Sequence, residues 1–372
     1  MSLTDSDYMR LALAEAKKGI GRTSPNPAVG AVVVKNGKVV GKGYHRKAGT
    51  PHAEVHALNA AGAKAKGATI YVTLEPCNHT GRTPPCTQAI LASGIQRVVI
   101  GMADPNPWVN GGGAEYLASQ GLAVVNGVLE AECRRINRPF AKHTTTGLPW
   151  VVMKAGMSLD GRIATVSGHS NWITGKESRH YVHRLRDRVD AILVGSGTAL
   201  ADDPSLTTRL PGGRGRDPLR VVLDSDLRLP VTAKMLRQES VARTMIFCGP
   251  QPEAGKVAAL EAVGALIRPV ALCRNGGLDL KLVLRQLGSE GITSVLVEGG
   301  GTVHGALLRA GLVDEVKLFV APIFIGGDGV PVVDRQGVTV VSQAPRLSEV
   351  RTRRFGDDVL IEGVFAGATA VG

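Results

Sequence analysis

The sequence predicts an α/β protein with two domains, and three observations lead to this. The chain has 372 residues, which is long for one domain and suits two. Segments with strand alternation are regularly followed by segments with helical periodicity, a pattern typical of mostly parallel, three-layer α/β sheets. A short polar segment with Gly and Pro, from His143 to Pro149, interrupts this pattern. It marks the predicted boundary between a domain at 1–145 and a second at 149–366.

The charge and cysteine content narrow the class of protein. The net charge is +12, which is compatible with nucleic-acid binding, with an anionic small-molecule substrate, or with a merely basic surface. Aromatic residues make up only 4% of the chain, so we expect a phosphorylated small molecule and no nucleic acid as the partner. The chain has five cysteines and no predicted signal peptide, which indicates a reducing compartment. No apolar run reaches the roughly 18 residues of a membrane span. The expectation is a cytoplasmic protein without membrane partners.

The predicted elements of the first domain follow in order along the chain. Helical periodicity runs from Tyr8 to Gly19. Two Val-rich runs joined by Asn36-Gly37 predict a β-hairpin with a type I′ turn. A helix begins near Pro51, and strands and helices then alternate up to a long predicted helix at 130–143.

Four residues of this domain have the pattern of a catalytic zinc site. His52 and Glu54 begin a predicted helix, and Cys77 and Cys86 follow downstream, each directly after a proline. One imidazole and two thiolates are suitable zinc ligands, and a catalytic zinc ion keeps its fourth position for water. Glu54 is two residues from His52 and is the predicted general acid and base.

The same residues are open to other interpretations. Two buried cysteines and a helix-capping histidine without metal are the structural alternative. His56 lies one helical turn after His52 and competes with it as the ligand, although the His-Ala-Glu order favours His52. His79 has no role that its chemistry alone assigns, and a loop residue or an indirect contact is favoured over a fourth ligand.

The second domain carries four further motifs. They are KAGMSLDG, SNWITG, LADDPSLTTR and VEGGG. The last predicts a strand, a glycine turn and a helix N-terminus, which together suit a pyrophosphate. His304 stands where the dinucleotide fingerprint has its final glycine, so a standard Rossmann unit is not supported. Taken alone, the glycine turn is equally compatible with a plain tight turn.

The spacing of the cysteines identifies a family. Eight residues separate Cys77 from Cys86, whereas the general signature of nucleobase deaminases has two. HAE followed by PCNHTGRTPPC resembles the deaminase half of the bifunctional riboflavin-biosynthesis deaminase–reductases, and the four later motifs resemble the reductase half. The resemblance implies a cytidine-deaminase-like three-layer domain followed by a dihydrofolate-reductase-like domain. It also implies Zn²⁺ and NADPH as cofactors, hydrolytic deamination of a diaminopyrimidine phosphate, and reduction of the ribosyl group of the product to ribityl.

The resemblance also assigns residues. In the deaminase half, the implied substrate contacts are Asn26, His45 and Arg82. Without the resemblance, each of them could be an ordinary turn or surface residue. In the reductase half, the residues implied to hold NADPH are Gly156, Trp172, Thr198, Asp202, Ser225, Gly300, Gly301, Thr302, Val303 and His304. Those implied to hold the substrate are Ser170, Arg186, Leu206, Arg209 and Glu298. Lys154 and Asp202 are the candidates for proton handling. Without the family pattern, Lys154 would be interpreted as a surface lysine and Asp202 as the cap of a turn.

Two rival functions remain to be distinguished. A nucleic-acid base deaminase, such as a tRNA adenosine deaminase, is disfavoured by the long loop between the cysteines and by the second domain. A zinc-stabilised nucleic-acid-binding protein would have four protein ligands and no free carboxylate at the metal. We also expect a homo-oligomer, either a dimer or a tetramer.

Overall fold

The fold was analysed in a computed structural model. It describes residues 3–79, 84–106, 112–213, 215–274, 276–335 and 337–368. The chain divides into two compact units, the first ending at Gly147 and the second beginning at Leu148. No helix among the described residues is long and apolar enough to cross a bilayer.

The first unit has five strands and six helices in the part of the chain that the structure describes. The strands are β1 (Gly30–Lys35), β2 (Lys38–Tyr44), β3 (Thr69–Leu74), β4 (Arg97–Met102) and β5 (Ala123–Val125). The helices are α1 (Asp5–Ala16), α2 (Ala53–Ala61), α3 (Cys86–Ala92), α4 (Gly113–Ser119), α5 (Glu130–Ile136) and α6 (Arg138–Thr146).

The strands form one mixed sheet in the order β2-β1-β3-β4-β5. The predicted hairpin is present, with positive φ angles at Asn36 and Gly37, as a type I′ turn requires. β3, β4 and β5 run parallel, but β1 is antiparallel to both of its neighbours. The expectation of a mostly parallel sheet was therefore wrong for this unit, because the hairpin supplies two of the five strands.

The helix boundaries follow local capping signals. α1 begins in a capping box in which Thr4 and Asp7 exchange hydrogen bonds, an arrangement that satisfies free N–H groups of the first turn. The long helix predicted at 130–143 is divided at Asn137 into α5 and α6. α6 continues to Thr146, so most of the segment predicted as a linker is helical, and the helix ends at Gly147 with φ of 71°.

The second unit has eleven strands and six helices among its described residues. Its strands are β6 (Trp150–Met157), β7 (Arg162–Ala164), β8 (Ala191–Gly195), β9 (Leu219–Leu223), β10 (Thr244–Cys248), β11 (Leu266–Pro269), β12 (Ser294–Val297), β13 (Glu315–Val320), β14 (Val330–Pro331), β15 (Leu347–Phe355) and β16 (Asp358–Phe365). Its helices are α7 (Lys176–Arg186), α8 (Ser196–Asp202), α9 (Lys234–Arg237), α10 (Ala254–Ala262), α11 (Leu280–Ser289) and α12 (Gly301–Arg309).

A nine-stranded sheet organises this unit, in the order β11-β10-β9-β8-β12-β6-β13-β16-β15. The seven strands from β11 to β13 are parallel, and the hairpin of β16 and β15 adds an antiparallel edge. Parallel strands direct their carboxyl ends to one edge of the sheet, where loops and helix N-termini meet.

Candidate active sites

Three side chains of the first unit converge as metal ligands. His52 is the N-cap residue of α2, Cys77 follows β3 after Pro76, and Cys86 is the first residue of α3. Their ligand atoms all lie within 4.8 Å of one another. Among the described residues this cluster contains His52, as expected, and not His56.

The distances in the cluster fit a tetrahedral zinc ion. His52 Nδ1 lies 3.2 Å from Cys86 Sγ and 3.5 Å from Cys77 Sγ. Zinc at its usual bond lengths separates a nitrogen and a sulfur ligand by about 3.5 Å in a tetrahedron. The Cys86 backbone N–H also donates to Cys77 Sγ at 3.3 Å, and hydrogen bonds from Cys86 and His52 lower the pKa of Cys77. A low pKa favours the thiolate that zinc requires.

Glu54 stands beside this cluster with an oxygen that has no partner. Its side chain is 3% exposed, and its Oε2 makes no hydrogen bond within the described part of the chain. Burial raises the pKa of this carboxyl group, and His52 opposes the effect. A buried acceptor without a partner is costly, and a proton-donating ligand at the metal would satisfy it. The residues present therefore fit a catalytic zinc ion.

A cavity of about 440 Å³ opens in front of these residues. Both Asn26 and His45 line it, together with His52, Glu54 and Cys77. His45 is 2% exposed, and burial lowers the pKa of its imidazole. Two of the three expected substrate contacts thus lie in one cavity with the metal ligands. The third, Arg82, lies outside the described residues.

The hydrogen bonds of His45 determine how Asn26 faces the cavity. His45 Nδ1 lies 3.3 Å from the Pro51 carbonyl oxygen, which only accepts, so this nitrogen carries the proton. Its Nε2 lies 3.3 Å from Asn26 Nδ2 and accepts from it. Asn26 therefore uses an N–H on His45 and keeps its Oδ1 as an acceptor.

Three further residues line the cavity for which the sequence predicts no role, namely Glu75, His79 and Asp104. Glu75 accepts from the backbone N–H groups of Asp104 and Ala114 at 3.3 and 3.0 Å. Burial raises the pKa of Asp104. The position of both acids after parallel strands, β3 and β4, was the signal available in the sequence.

The second unit has a cavity of about 360 Å³ at the carboxyl ends of its central strands. The residues expected to hold NADPH that line it are Thr198, Ser225, Gly300, Thr302 and Val303. Arg228, to which the sequence assigned no role, lines it as well.

The glycine turn before α12 fits a close ligand approach. A Cβ on Gly300 would lie 3.3 Å from Thr198 Oγ1, on the cavity side, and a Cβ on Gly301 would lie 2.3 Å from the Pro331 carbonyl oxygen. Gly300 is the N-cap residue of the nine-residue helix α12, so free backbone N–H groups face the region where Thr302 lines the cavity. Such an arrangement suits the pyrophosphate of a dinucleotide.

The other residues expected to hold NADPH are not in the lining of this cavity. His304 is 1% exposed and its Nδ1 lies 2.9 Å from the Val332 carbonyl oxygen. Trp172 is 75% exposed, with φ of 67°, and the Arg179 guanidinium lies 4.4 Å from the centre of its ring. Gly156 lies on β6, where a Cβ would be 2.9 Å from Thr174. Asp202 ends α8 and accepts from the Ser170 hydroxyl at 3.2 Å.

A buried ionic cluster joins two of the residues expected to hold the substrate with Lys154, a candidate for proton handling. Arg186 donates to both carboxylate oxygens of Glu298, from Nε at 2.8 Å and Nη2 at 3.0 Å. Lys154 Nζ lies 3.4 Å from Glu298 Oε2. Arg186 and Lys154 hold the pKa of Glu298 at about 2, against the effect of burial. The carboxylate is therefore ionised at neutral pH and fixed in position.

Two further expected residues lie on the segment after α8. Leu206 is 4% exposed and has φ of 52°. Arg209 has an exposed side chain, and its backbone N–H donates to His183 Nδ1 at 3.2 Å. Burial, with Arg186 and Arg209 nearby, lowers the pKa of His183 to about 4. His183 is thus a neutral imidazole that holds the backbone at Arg209.

Comparison with known families gives matches in both units. The RibD C-terminal domain matches residues 149–361, and the cytidine and deoxycytidylate deaminase zinc-binding region matches residues 2–102. The chain is 44% identical to the riboflavin biosynthesis protein RibD of Aquifex aeolicus, over 96% of this chain and 97% of that protein. It is 43% identical to RibD of Escherichia coli, over 98% of this chain and 100% of that protein.

Solved structures agree with these matches. Acinetobacter baumannii RibD superposes with a TM-score of 0.87 at 36% identity, covering 97% of this chain and 99% of that one. A deaminase–reductase from Thermotoga maritima gives 0.85 at 38% identity, with the same coverage. The chain therefore belongs to the RibD family: it is a bifunctional enzyme of riboflavin biosynthesis with a zinc-binding deaminase unit and an NADPH-using reductase unit.

Proposed function

We propose that the enzyme removes the 2-amino group of 2,5-diamino-6-(5-phosphoribosylamino)pyrimidin-4-one and then reduces the ribosyl group of the product to ribityl. The Thermotoga maritima protein is described as a diaminohydroxyphosphoribosylaminopyrimidine deaminase and a 5-amino-6-(5-phosphoribosylamino)uracil reductase. Residues 1–145 carry out the first reaction and residues 149–366 the second. The five free cysteines, two of them metal ligands, support a reducing, cytoplasmic location, and a homo-oligomer stays a prediction.

The observation that carries the deaminase proposal is the unpartnered Oε2 of Glu54 beside a His/Cys/Cys cluster. His52, Cys77 and Cys86 would hold the zinc ion, which when bound would supply an acidified water molecule. Glu54 is placed to take a proton from the attacking water and to pass it to the leaving amino group. The ring carbon gains oxygen and loses nitrogen, so ammonia is released and the carboxylate is regenerated.

Asn26 and His45 have a joint role in this proposal. Because His45 uses Nδ1–H on Pro51 and accepts from Asn26 through Nε2, the histidine keeps no N–H for a phosphate. It orients the Asn26 amide instead. Asn26 Oδ1 is then the acceptor that recognises an amino or N–H group of the pyrimidine.

In the reductase, the buried ionic cluster separates the roles of the two arginines. Arg186 Nη1 donates to the Thr207 carbonyl oxygen at 3.0 Å, and its other two nitrogens are used on Glu298. The arginine that contacts the substrate phosphate is therefore Arg209, whose side chain is exposed. Glu298 and Lys154 face the sugar, while Ser170 and Leu206 complete the substrate contacts.

The cofactor contacts complete the reductase proposal. NADPH supplies the hydride when it is bound. The Gly300–Val303 turn would hold its pyrophosphate and Ser225 its adenosine end, since these residues line one cavity together with Thr198. Lys154 and Asp202 remain the candidates for holding the proton that reduction of the sugar carbon requires.

The replacement of Glu54 tests the deaminase proposal. We expect Glu54→Gln to lower ammonia release by about 10²–10⁴-fold, because a general acid–base group contributes that much, and to leave the bound zinc at its wild-type stoichiometry. Zinc would be measured by atomic emission and ammonia by a coupled assay. Glu130→Gln, which removes a charge from an exposed pair with Arg134, is the matched control. Normal ammonia release in Glu54→Gln would refute the assignment.

A further inference from the structure

Asn137 is a buried residue of the first unit, at the point where α5 ends and α6 begins. It is 1% exposed. Its backbone takes part in both helices, because its N–H donates to the Arg134 carbonyl oxygen at 3.0 Å and its own carbonyl oxygen accepts from the Ala141 N–H at 2.9 Å. Asparagine is a preferred N-cap residue, yet the Asn137 side chain makes no capping bond to α6. The amide group therefore serves another contact.

That contact is with the backbone of Ala28, which lies 109 residues earlier in the chain. Asn137 Oδ1 accepts from the Ala28 N–H at 2.9 Å, and Asn137 Nδ2 donates to the Ala28 carbonyl oxygen at 3.2 Å. One side chain thus binds both polar backbone groups of one residue, as a neighbouring β-strand does. Ala28 is itself buried, so the loss of the amide would leave these groups without a partner.

Ala28 belongs to the segment that brings Asn26 to the deaminase cavity. The members of this segment that line the cavity are Pro25, Asn26, Pro27 and Val29. Proline has no N–H, so the backbone donors between positions 25 and 28 are those of Asn26 and Ala28. The N–H of Asn26 donates to the Thr23 carbonyl oxygen at 2.8 Å, within the same turn. The N–H of Ala28 instead joins the segment to Asn137, two residues after Asn26.

The short link from Ala28 to Asn26 is stiff. Pro27 lies between them, and a proline fixes its own φ angle and restricts the residue before it. A shift of Ala28 is therefore passed on to Asn26. The bond from Asn26 Nδ2 to His45 Nε2 is already 3.3 Å long, so a further displacement would break the contact that keeps Asn26 Oδ1 available to the substrate.

Helix α6 also reaches the cavity directly. Phe140, about one turn after Asn137, lies in the cavity lining. The match to the deaminase zinc-binding region covers residues 2–102, so both residues lie outside the part of the chain that supplies the metal ligands. The last helix of the first unit thus contributes to a site whose ligands come from earlier in the chain.

We propose that Asn137 is a positioning residue of the deaminase, which acts through Ala28 to hold the Asn26 amide where its Oδ1 meets the pyrimidine. The inference rests on the proposed role of Asn26 in the deamination. Asn137 itself touches no substrate. Its effect is the placement of an acceptor, and a misplacement of about 1 Å costs on the order of 10²-fold in rate.

A double-mutant cycle on the full-length enzyme tests this coupling. The value of kcat/KM for ammonia release from the diaminopyrimidine phosphate is measured for the wild type, Asn137→Ala, Asn26→Ala and the double variant. We expect Asn137→Ala to lower kcat/KM by about 10–100-fold. In the Asn26→Ala background the same replacement should lower it by less than about threefold, because no amide is left to position. A role in stability alone would give equal factors in the two backgrounds.

Two further measurements show that the variants are folded. Bound zinc should stay at its wild-type stoichiometry, and NADPH oxidation with the deaminated pyrimidine should be unchanged. Asn137→Asp keeps the size of the side chain and an oxygen for the Ala28 N–H, so it is taken through the same cycle, with a smaller first loss expected. Tyr8→Phe is the matched control. It removes a side-chain hydrogen bond to the Gly37 carbonyl oxygen in the same unit, outside the cavity lining, and should leave kcat/KM unchanged.

The outcomes separate this inference from the proposed function. Equal factors in the two backgrounds, or a kcat/KM of Asn137→Ala within about twofold of the wild type, would overturn the positioning role and leave the deamination standing. Wild-type kcat/KM in Asn26→Ala would overturn it as well, because there would be nothing to position. A wild type that releases no ammonia from this pyrimidine would overturn the proposed function, and the positioning role with it.

Discussion

The buried pair of Glu298 and Arg186 gives a prediction whose size follows from the structure. Their side chains are 9% and 12% exposed, and Lys154, the third member of the cluster, is 17% exposed. Glu298→Gln removes the negative charge, keeps the shape of the side chain, and leaves two buried cations without a counter-ion. Breaking a buried ion pair from one side costs about 3–5 kcal/mol.

The pKa of Glu298 reflects the same interaction. The cluster lowers it from 4.5 to about 2, which corresponds to about 3 kcal/mol of stability. Because the folded-state pKa is the lower one, this stability is fully present above pH 4.5 and is lost as the pH falls through about 2. At neutral pH, Glu298→Gln should therefore cost about 3 kcal/mol.

Calorimetry measures this cost directly. A loss of about 3 kcal/mol in a unit of this size lowers the unfolding temperature by about 6–12 °C. Glu290→Gln is the control, because Glu290 and Arg268 form a pair that is 35% and 31% exposed, and such pairs contribute about 0.2–1 kcal/mol. If Glu298→Gln unfolds within about 1 °C of Glu290→Gln, the cluster does not stabilise the fold and this reasoning is refuted.

Two other changes, removal of zinc and replacement of a helix cap, are each expected to affect one unit and not the other. Removal of zinc by a chelator should stop ammonia release and leave NADPH oxidation with the deaminated pyrimidine unchanged. The reason is that the metal ligands and the second cavity belong to different compact units. A parallel loss of both activities would contradict this. Asp279→Ala removes the side chain that caps α11 by accepting from the backbone N–H groups of Lys281 and Leu282. The free energy of unfolding of the second unit, measured by calorimetry, should fall by about 1 kcal/mol. Ammonia release should be unaffected. An unchanged unfolding temperature would show that the cap is not needed.

The zinc cluster was predictable because its geometry is built from short segments. His52 caps a helix, Cys86 begins one, and Cys77 follows a strand after Pro76, so each residue type and its local signal were visible in the sequence. The hairpin at Asn36 and Gly37 was predictable for the same reason, since only particular residues adopt the positive φ angles of its turn.

Features that depend on distant contacts were not predictable in this way. Glu298 and Arg186 are 112 residues apart, and no periodicity indicates that they pair. The sequence does not predict the edge strand β15, because this strand has no buried face. Its residues are half-buried or exposed, and several of them are arginines. The alternation that marks a strand is therefore weak. Arg228 was missed because its place in the cavity depends on how the loop after β9 meets the turn before α12.

The partners of each cation, more than the net charge of +12, indicate where phosphates bind. Arg186 is buried and its nitrogens are used on Glu298 and Thr207, so it orients an acid and offers little to a ligand. Arg228 is half exposed, lines a cavity and is steadied by Ser196, so its charge remains available. A cation that is positioned by the protein but not neutralised by it is the kind that recognises phosphate. The excess of basic residues pointed to an anionic partner, but only these contacts distinguish the arginines that would bind it from those that hold the fold together.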